Sequence, residues 1–296
     1  MVEVAYADGT HAAGEVYKDN VKFAEGEVVP IFFAAITEQE YGKFSSAEVD
    51  GILGLAYGEM SKEGIPTFLA QIVNHLKLKD VFSLCMGYSG GSLVVGNVEH
   101  SYYSGDLYYT PMKHDSTSYY VKMRSMQISN YKDSLEMDTS SYTVYIDSGT
   151  TLMIVPVKIY DQIQSKFKVL CNNDIFLNSL ICGQINIFDL KEEKCKYFDK
   201  SVFSKLPDIK FKFPEGDNVS FFEVTISPQD YIRFFPSDKT GFDYCGQFGI
   251  TTLALDDWGT YFDQIILGDT FMRGSNLPTN LFSNIFLTET SFLHCI

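Results

Sequence analysis

The chain has 296 residues, 45% of them hydrophobic and 21% charged, with a formal net charge of −15. So acidic a balance excludes a nucleic-acid partner held by phosphate neutralisation, which needs clustered Lys and Arg. Hydrophobic content this high excludes wholesale disorder, and no apolar run approaches the ~18 residues of a membrane-spanning helix.

Met1 leads straight into Val2-Glu3-Val4-Ala5-Tyr6, an alternating strand pattern with no basic n-region or apolar h-region of a secretory signal. A chain that opens in mid-strand reads as truncated. Short strands follow at Glu15–Phe23, Val28–Ala34, Val81–Met86, Ser92–Val95, Tyr119–Ile128 and Asp208–Phe213, punctuated by Gly, Asn, Asp and Ser. Two segments carry helical periodicity instead. Pro66–Leu78 sets Leu69, Ile72, Val73 and Leu76 on one face, and Val157–Leu170 sets Ile159, Ile163, Phe167 and Leu170 on one face just after Pro156. The class is therefore mainly β with a few helices.

Gly87-Tyr88-Ser89-Gly90-Gly91 matches the G-x-S-x-G pattern of serine hydrolases, whose mechanics demand a strand, a strained turn and a helix. Here another apolar strand follows, so the sequence predicts a Gly-rich hairpin turn. The five His residues show no metal-ligand spacing. Six cysteines without a C-x-x-C argue against structural zinc, and four of them between 171 and 245 suggest two disulfides and an oxidising compartment. Cys85, on an apolar strand, reads as an inert buried thiol. Asn218-Val219-Ser220 is a glycosylation sequon on a turn.

The stretch Val144-Tyr145-Ile146-Asp147-Ser148-Gly149-Thr150-Thr151 carries the chemistry. It reads as a strand that delivers a carboxylate into a tight Gly turn ringed by hydroxyls, a placement suited to acid–base work. A distant echo links Asp50-Gly51-Ile52-Leu53-Gly54-Leu55 to Ile265-Ile266-Leu267-Gly268-Asp269. Each reads as an apolar strand ending in Gly, where backbone must approach closely.

These segments together resemble the pepsin-like (cathepsin D-like) eukaryotic aspartic proteases. Asp147-Ser148-Gly149-Thr150-Thr151 resembles the second catalytic motif, and Val4-Ala5-Tyr6-Ala7-Asp8-Gly9-Thr10 resembles the flap hairpin. The block Asp50–Ala56, Phe82-Ser83-Leu84, Leu206-Pro207-Asp208-Ile209 and Ile266–Arg273 follow in the family's order, so the likeness spans residues 2 to 273.

The resemblance implies a mainly β, bilobal pepsin-like acid protease fold with the first lobe incomplete. Residues 1–105 would be the remnant of the N-terminal lobe with its flap. Residues 106–296 would be the C-terminal lobe, with 274–296 as an atypical tail. It further implies an aspartic endopeptidase that hydrolyses peptide bonds through carboxylate-activated water at acidic pH. Asp147 would be catalytic, with Ser148 as a buried hydroxyl tying two catalytic turns together. Gly149 would admit close backbone approach, and Thr150 would hydrogen-bond the outer carboxylate oxygen. Tyr6, Ala7, Asp8, Ile52, Tyr145 and Thr151 would bind substrate.

Cys195–Cys245 would be the family's usual disulfide, and Cys171–Cys182 would close an extra loop after the 157–170 helix. No cofactor or metal is implied. The expected partners are protein or peptide substrates, with no nucleic acid and no membrane span, and the chain is expected to be a monomer in the secretory pathway, lysosome-like, vacuolar or extracellular. The first Asp-Thr/Ser-Gly of the family would fall before Met1, and Asp269-Thr270-Phe271 lacks the glycine. The chain as written is therefore expected to be inactive. The alternatives are a catalytically dead peptide-binding fragment or pseudoenzyme, and a homodimer in which two Asp147 residues meet.

Overall fold

A computed structural model of the chain describes residues 1–6, 9–23, 26–39, 50–61, 64–87, 90–97, 107–112, 118–129, 134–182, 187–188, 196–216, 219–253, 262–273, 283–287 and 291–295. It divides into two compact units, one built mainly from residues 1–82 and the other mainly from 119–296.

The first unit is a three-stranded antiparallel sheet of β1 (Val2–Ala5), β2 (His11–Lys22) and β3 (Val28–Gln39). Val29 and Ile31, two apart on β3, point to one face and bury against Ile72 of helix α1 (Phe68–Leu76). Thr67 caps α1 by accepting from the Ala70 N–H, and the helix ends at Lys77 in a left-handed conformation. Gln71 of α1 also accepts from the Phe32 N–H at 2.6 Å and donates to the Phe32 carbonyl at 3.2 Å, so its amide satisfies an otherwise open edge of β3.

Strands β4 (Phe82–Gly87) and β5 (Gly90–Val95) form a two-stranded sheet. The G-x-S-x-G pattern therefore joins two strands, which removes the elbow a serine nucleophile requires; Tyr88 and Ser89 themselves lie outside the described residues. Segment 51–57 corrects another expectation. It is not a strand, and Ile52 is 59% exposed there. Among the described residues no strand pairs with it, and an unpaired backbone has no ladder to join.

The second unit holds the large core. A four-stranded antiparallel sheet runs β14 (Phe221–Ile226), β13 (Asp208–Pro214), β8 (Ser125–Ser129), β9 (Ser134–Asp138). Along β13 the alternation is strict, with Ile209, Phe211 and Phe213 fully buried between more exposed Asp208, Lys210 and Lys212. A five-stranded sheet runs β17 (Ile250–Thr251), β11 (Met153–Ile154), β18 (Gln264–Leu267), β10 (Thr143–Ile146), β7 (Tyr120–Val121). The single strand expected over Tyr119–Ile128 is thus two, β7 and β8, in different sheets. The chain turns the corner at Arg124, whose N–H donates to the Lys212 carbonyl and whose carbonyl accepts from the Thr139 N–H.

Helix α2 (Val157–Asn173) lays Ile159, Ile163 and Phe167 into this core. Phe167 meets Phe188, Tyr231 and Phe248 edge-on at centroid separations of 5.5, 6.0 and 5.3 Å. A disulfide joins Cys171 to Cys182, which ties the end of α2 to the end of helix α3 (Ile175–Leu180). A loop of 11 residues so closed stabilises by about 2–3 kcal/mol on the chain-entropy estimate. Cys85 is also disulfide-bonded and only partly buried, so it is not the inert buried thiol its apolar strand suggested. Cys245 is bonded too, while Cys195 lies outside the described residues.

Strands β15 (Ile232–Pro236), β16 (Tyr244–Phe248) and β12 (Lys196–Phe198) form a third sheet. Strands β19 (Ser283–Leu287) and β20 (Ser291–Cys295) pair with each other and with β6 (Tyr108–Tyr109). Two short helices complete the unit, α4 (Pro228–Tyr231) and α5 (Asp269–Met272). No helix among the described residues is long and apolar enough to cross a membrane.

Candidate active site

The Asp147 turn is built by two strands distant in sequence. β10 and β18 run parallel, with Ile146 opposite Leu267, and the Asp147 N–H donates to the Leu267 carbonyl at 3.1 Å. Val144, Ile146, Ile265 and Leu267 fill the core side of this pair. The period of two then sends Tyr145 and Asp147 to the opposite side. A buried apolar face thus fixes which way the carboxylate points.

Beyond the strand the chain folds back on the carboxylate. The Gly149 N–H donates to Asp147 Oδ1 at 2.8 Å, and the Thr150 hydroxyl donates to Oδ2 at 2.6 Å. Each oxygen thus receives one donor, which fixes the plane of the group while it stays partly open to solvent. A side chain at Gly149 would begin 3.1 Å from Asp147 Oδ1, inside comfortable contact.

The turn is clamped from below. The Asp269 N–H donates to the Thr150 carbonyl at 2.7 Å, and the Thr270 N–H and hydroxyl both donate to the Thr151 carbonyl, at 3.1 and 2.9 Å. The backbone can approach this closely because residue 268 is Gly. A Cβ there would stand 2.2 Å from the Thr150 carbonyl oxygen and 2.4 Å from that of Leu152. Its counterpart in the echo, Gly54, has nothing within 4 Å. Close approach is thus a property of the Ile266-Leu267-Gly268 copy.

The remaining candidates fall as follows. Ser148 is exposed rather than buried. The Tyr145 ring lies 4.3 Å from that of Tyr120, its register partner on β7, with the two planes tilted by 57°. Burial and a hydrogen bond with Tyr120 push the Tyr145 phenol up, so it stays protonated. Tyr6 and Ile52 belong to the first unit. Tyr6 closes the β1–β2 turn, donating from its N–H to the Thr10 carbonyl and accepting from the Gly9 N–H. Ala7 and Asp8 lie outside the described residues.

Sequence reasoning missed Tyr120 and Asp230. Register alone identifies the first. The second sits in a Ser-x-x-Asp capping box (Ser227 to Asp230) whose role in α4 a spacing rule could have found.

Asp230 is 3% exposed, and its Oδ2 accepts from both the N–H and the hydroxyl of Ser227 at 2.8 Å. Burial pushes its carboxyl up to about 6; Ser227 works against the rise and the neighbouring Asp208 adds to it. The folded protein therefore holds this proton more tightly than the unfolded chain. Asp230 stabilises the fold fully below about pH 4, and that contribution is lost as pH rises towards about 6; it is worth on the order of 3 kcal/mol. Burial also raises Asp208 and Asp269, in the same direction. Asp138 and Asp174 are held low by Ser140 and Lys205, and their contribution disappears only below the ordinary carboxylate range. The unfolding midpoint should thus be higher at pH 4.5 than at pH 7, and Asp230→Asn should flatten that difference. A midpoint that climbs steadily to pH 7 would contradict the assignment.

As it stands, the site offers one oriented, partly open carboxylate on a rigid turn. That suits it to take a proton from a bound water. No group of three or more His, Cys, Asp or Glu side chains that could hold a metal ion occurs among the described residues.

Comparison with known proteins agrees with this geometry. The family model for eukaryotic aspartyl protease matches residues 1–278. The chain is 25% identical to a beta-secretase of Strongylocentrotus purpuratus over 260 residues, covering 78% of this chain and 47% of the relative. It is 26% identical over 177 residues to rhizopuspepsin-4 of Rhizopus niveus, covering 58% and 43%. It is 24% identical over 289 residues to secreted aspartic protease 3 of Candida albicans, covering 95% and 61%. The chain thus spans about half the length of these relatives.

Proposed function

Because the chain belongs to the eukaryotic aspartyl protease family, we propose that Asp147 is one of two carboxylates that activate water for peptide-bond hydrolysis at acidic pH. The observation that carries this reading is the Asp147 turn itself. Its carboxylate is oriented by Gly149 and Thr150, and the turn is locked from below by the residues after Gly268.

Two carboxylates held close around one water cannot both ionise, so the pair shares a proton. The ionised member takes a proton from the water as it attacks the scissile carbonyl. The protonated member donates to the developing oxyanion, and proton transfer to the nitrogen releases the amine. Thr150 keeps one Asp147 oxygen turned towards the water, and Gly149 leaves room beside the other. Tyr145, with its phenol protonated beside Tyr120, forms an aromatic wall next to the carboxylate and favours apolar or aromatic side chains. We assign Tyr6, Ala7, Asp8 and Ile52 to substrate binding, the first three to covering a bound peptide and Ile52 to apolar contact with it. Disulfides at Cys171–Cys182 and Cys195–Cys245 suit an oxidising compartment, and the Candida relative is by its name secreted. We place the protein in the secretory pathway or an acidic organelle, as a monomer acting on protein or peptide substrates.

A second reading is favoured by one observation. The 296 residues contain a single Asp-Ser/Thr-Gly, so the chain by itself binds peptides without cutting them. A form that supplies the second carboxylate should cleave unfolded protein at about pH 3–5 and lose activity towards neutrality, where the shared proton is gone. A peptide with a tetrahedral hydroxyl at the scissile position should inhibit it competitively. Inactivation by a serine-directed reagent, with no response to that peptide, would sink the proposal.

A further inference from the structure

A cavity with several charged residues in its lining lies within the larger unit; Thr151 and Thr270 border it and Asp147 does not. It encloses about 240 Å³ and is lined by Thr151, Asp230, Arg233, Phe235, Asp269 and Arg273, among others. Its charges are unevenly satisfied. Arg273 is paired with Asp269 Oδ2. Arg233, half-buried on β15, lies over the ring of Phe235 at 5.8 Å and has no hydrogen bond or ion pair among the described residues. Asp230 is 97% buried, yet among the described residues its Oδ1 has no hydrogen-bond partner, and Asp269 Oδ1 is in the same condition. Arg233 feels the charge of Asp269 but is not hydrogen-bonded to it, and a half-buried guanidinium and buried oxygens without hydrogen-bond partners are both costly inside a protein. Together they give the cavity unused hydrogen-bonding capacity of both signs.

We propose that this cavity is a carboxylate-binding site in which Arg233 grips the anion and Asp230, once protonated, donates the second hydrogen bond. The planar guanidinium matches a carboxylate with two parallel donors, which an ammonium cannot do. The ring of Phe235 gives the ligand's carbon end an apolar wall. With Asp230 and Asp269 both ionised, their charges balance Arg233 and Arg273, and an incoming anion gains nothing. When Asp230 takes up a proton the cavity carries one net positive charge, and the unpartnered Oδ1 can hold a hydrogen to give.

The groups that face Asp230 are consistent with this order of events. Asp208 on β13 adds negative charge beside it, Ser227 donates to its Oδ2, and Arg233, Asp269 and Arg273 share its cavity. Its carboxyl is pushed up to about 6, so acid conditions load the site. The shared chemistry is a carboxylate, which a free organic acid or a Glu or Asp side chain of a peptide could bring.

The test uses the full chain and trifluoroacetate, which is ionised across the range and read by fluorine NMR. Saturable binding is expected at pH 5 and about tenfold weaker binding at pH 7, the ratio set by the protonated fraction of a group titrating near 6. Arg233→Gln should weaken binding by more than tenfold, and Arg233→Lys by less, since it keeps charge without the fork. Asp230→Asn should keep binding and remove most of its pH dependence. Asp147→Asn should leave binding unchanged, which separates this site from the catalytic proposal. Displacement of trifluoroacetate by formate alone assigns the site to free acids; displacement also by an end-blocked Ala-Glu-Ala peptide extends it to protein side chains. The absence of saturable binding by the unaltered chain at pH 5, equal binding by folded Arg233→Gln, or displacement by neither competitor would overturn the proposal.

Discussion

Asp147→Asn is expected to lower peptide-bond cleavage by on the order of 10⁴-fold or more in a form that carries a second strand–Asp–Thr/Ser–Gly turn. Asn keeps the shape of the side chain: its oxygen can still accept from the Gly149 N–H, and its NH2 can donate to the Thr150 hydroxyl oxygen, where the two groups now donate to Asp147 Oδ1 and Oδ2 at 2.8 and 2.6 Å. The turn should therefore keep its place. What disappears is the proton traffic: an amide neither takes a proton from water nor shares one with a partner carboxylate. Losses of this order follow removal of a group that acts with others as a unit. Binding of a substrate-like inhibitor should change far less than turnover. Initial rates at saturating and limiting substrate, with a thermal melt to confirm folding, would check it. An unaffected rate removes Asp147 from the mechanism.

The second large effect concerns support rather than chemistry. Gly268→Ala should destabilise the protein by more than about 3 kcal/mol, because the new methyl would meet two backbone carbonyl oxygens at 2.2 and 2.4 Å and neither can swing aside as a side chain would. Relief requires β18 to withdraw from the Thr150–Leu152 segment. That breaks the bond from the Asp269 N–H to the Thr150 carbonyl and shifts the hydroxyl that holds Asp147. Stability and activity should fall together. Gly54→Ala is the internal control, since nothing lies within 4 Å of its added carbon and the change should be worth under about 1 kcal/mol. Denaturant titration of the two variants decides the matter. Similar midpoints for both would show that the close approach at Gly268 does not bear on the fold.

The strands with strong alternation were legible in the amino-acid sequence. β13 reads apolar at every second position from Ile209 to Phe213, and each of those side chains is fully buried. Helix α2 announced itself through Ile159, Ile163 and Phe167, and ran three residues further than expected because Cys171 is drawn into the core and bonded to Cys182. Reading failed where pairing decides the outcome. Residues 51–57 are as apolar as β18, yet among the described residues β18 has strands on both sides and 51–57 has none, and burial follows partners rather than composition. The break between β7 and β8 has the same origin, since one apolar run serves two sheets.

At the site, the Asp-Ser-Gly-Thr spacing pointed to a strand, a tight turn and a hydroxyl on the carboxylate, because those features depend on neighbours three residues apart at most. Tyr120 and Gly268 reach the turn from 27 residues before and 121 residues after Asp147. Only register and backbone contact reveal what they do there. Arg233 was silent for the same reason, since a guanidinium without a hydrogen-bond partner is visible only when the space around it is known; the Ser-x-x-Asp spacing announces Asp230 as a helix cap but not its burial.

The claim that Asp147 works as half of a carboxylate pair is tested most directly by a proteolysis assay at pH 4 on two forms side by side. One is the 296-residue chain; the other carries in addition a second Asp-Thr/Ser-Gly turn. The account predicts no cleavage by the first and steady turnover by the second. Robust cleavage by the 296-residue chain alone would contradict it.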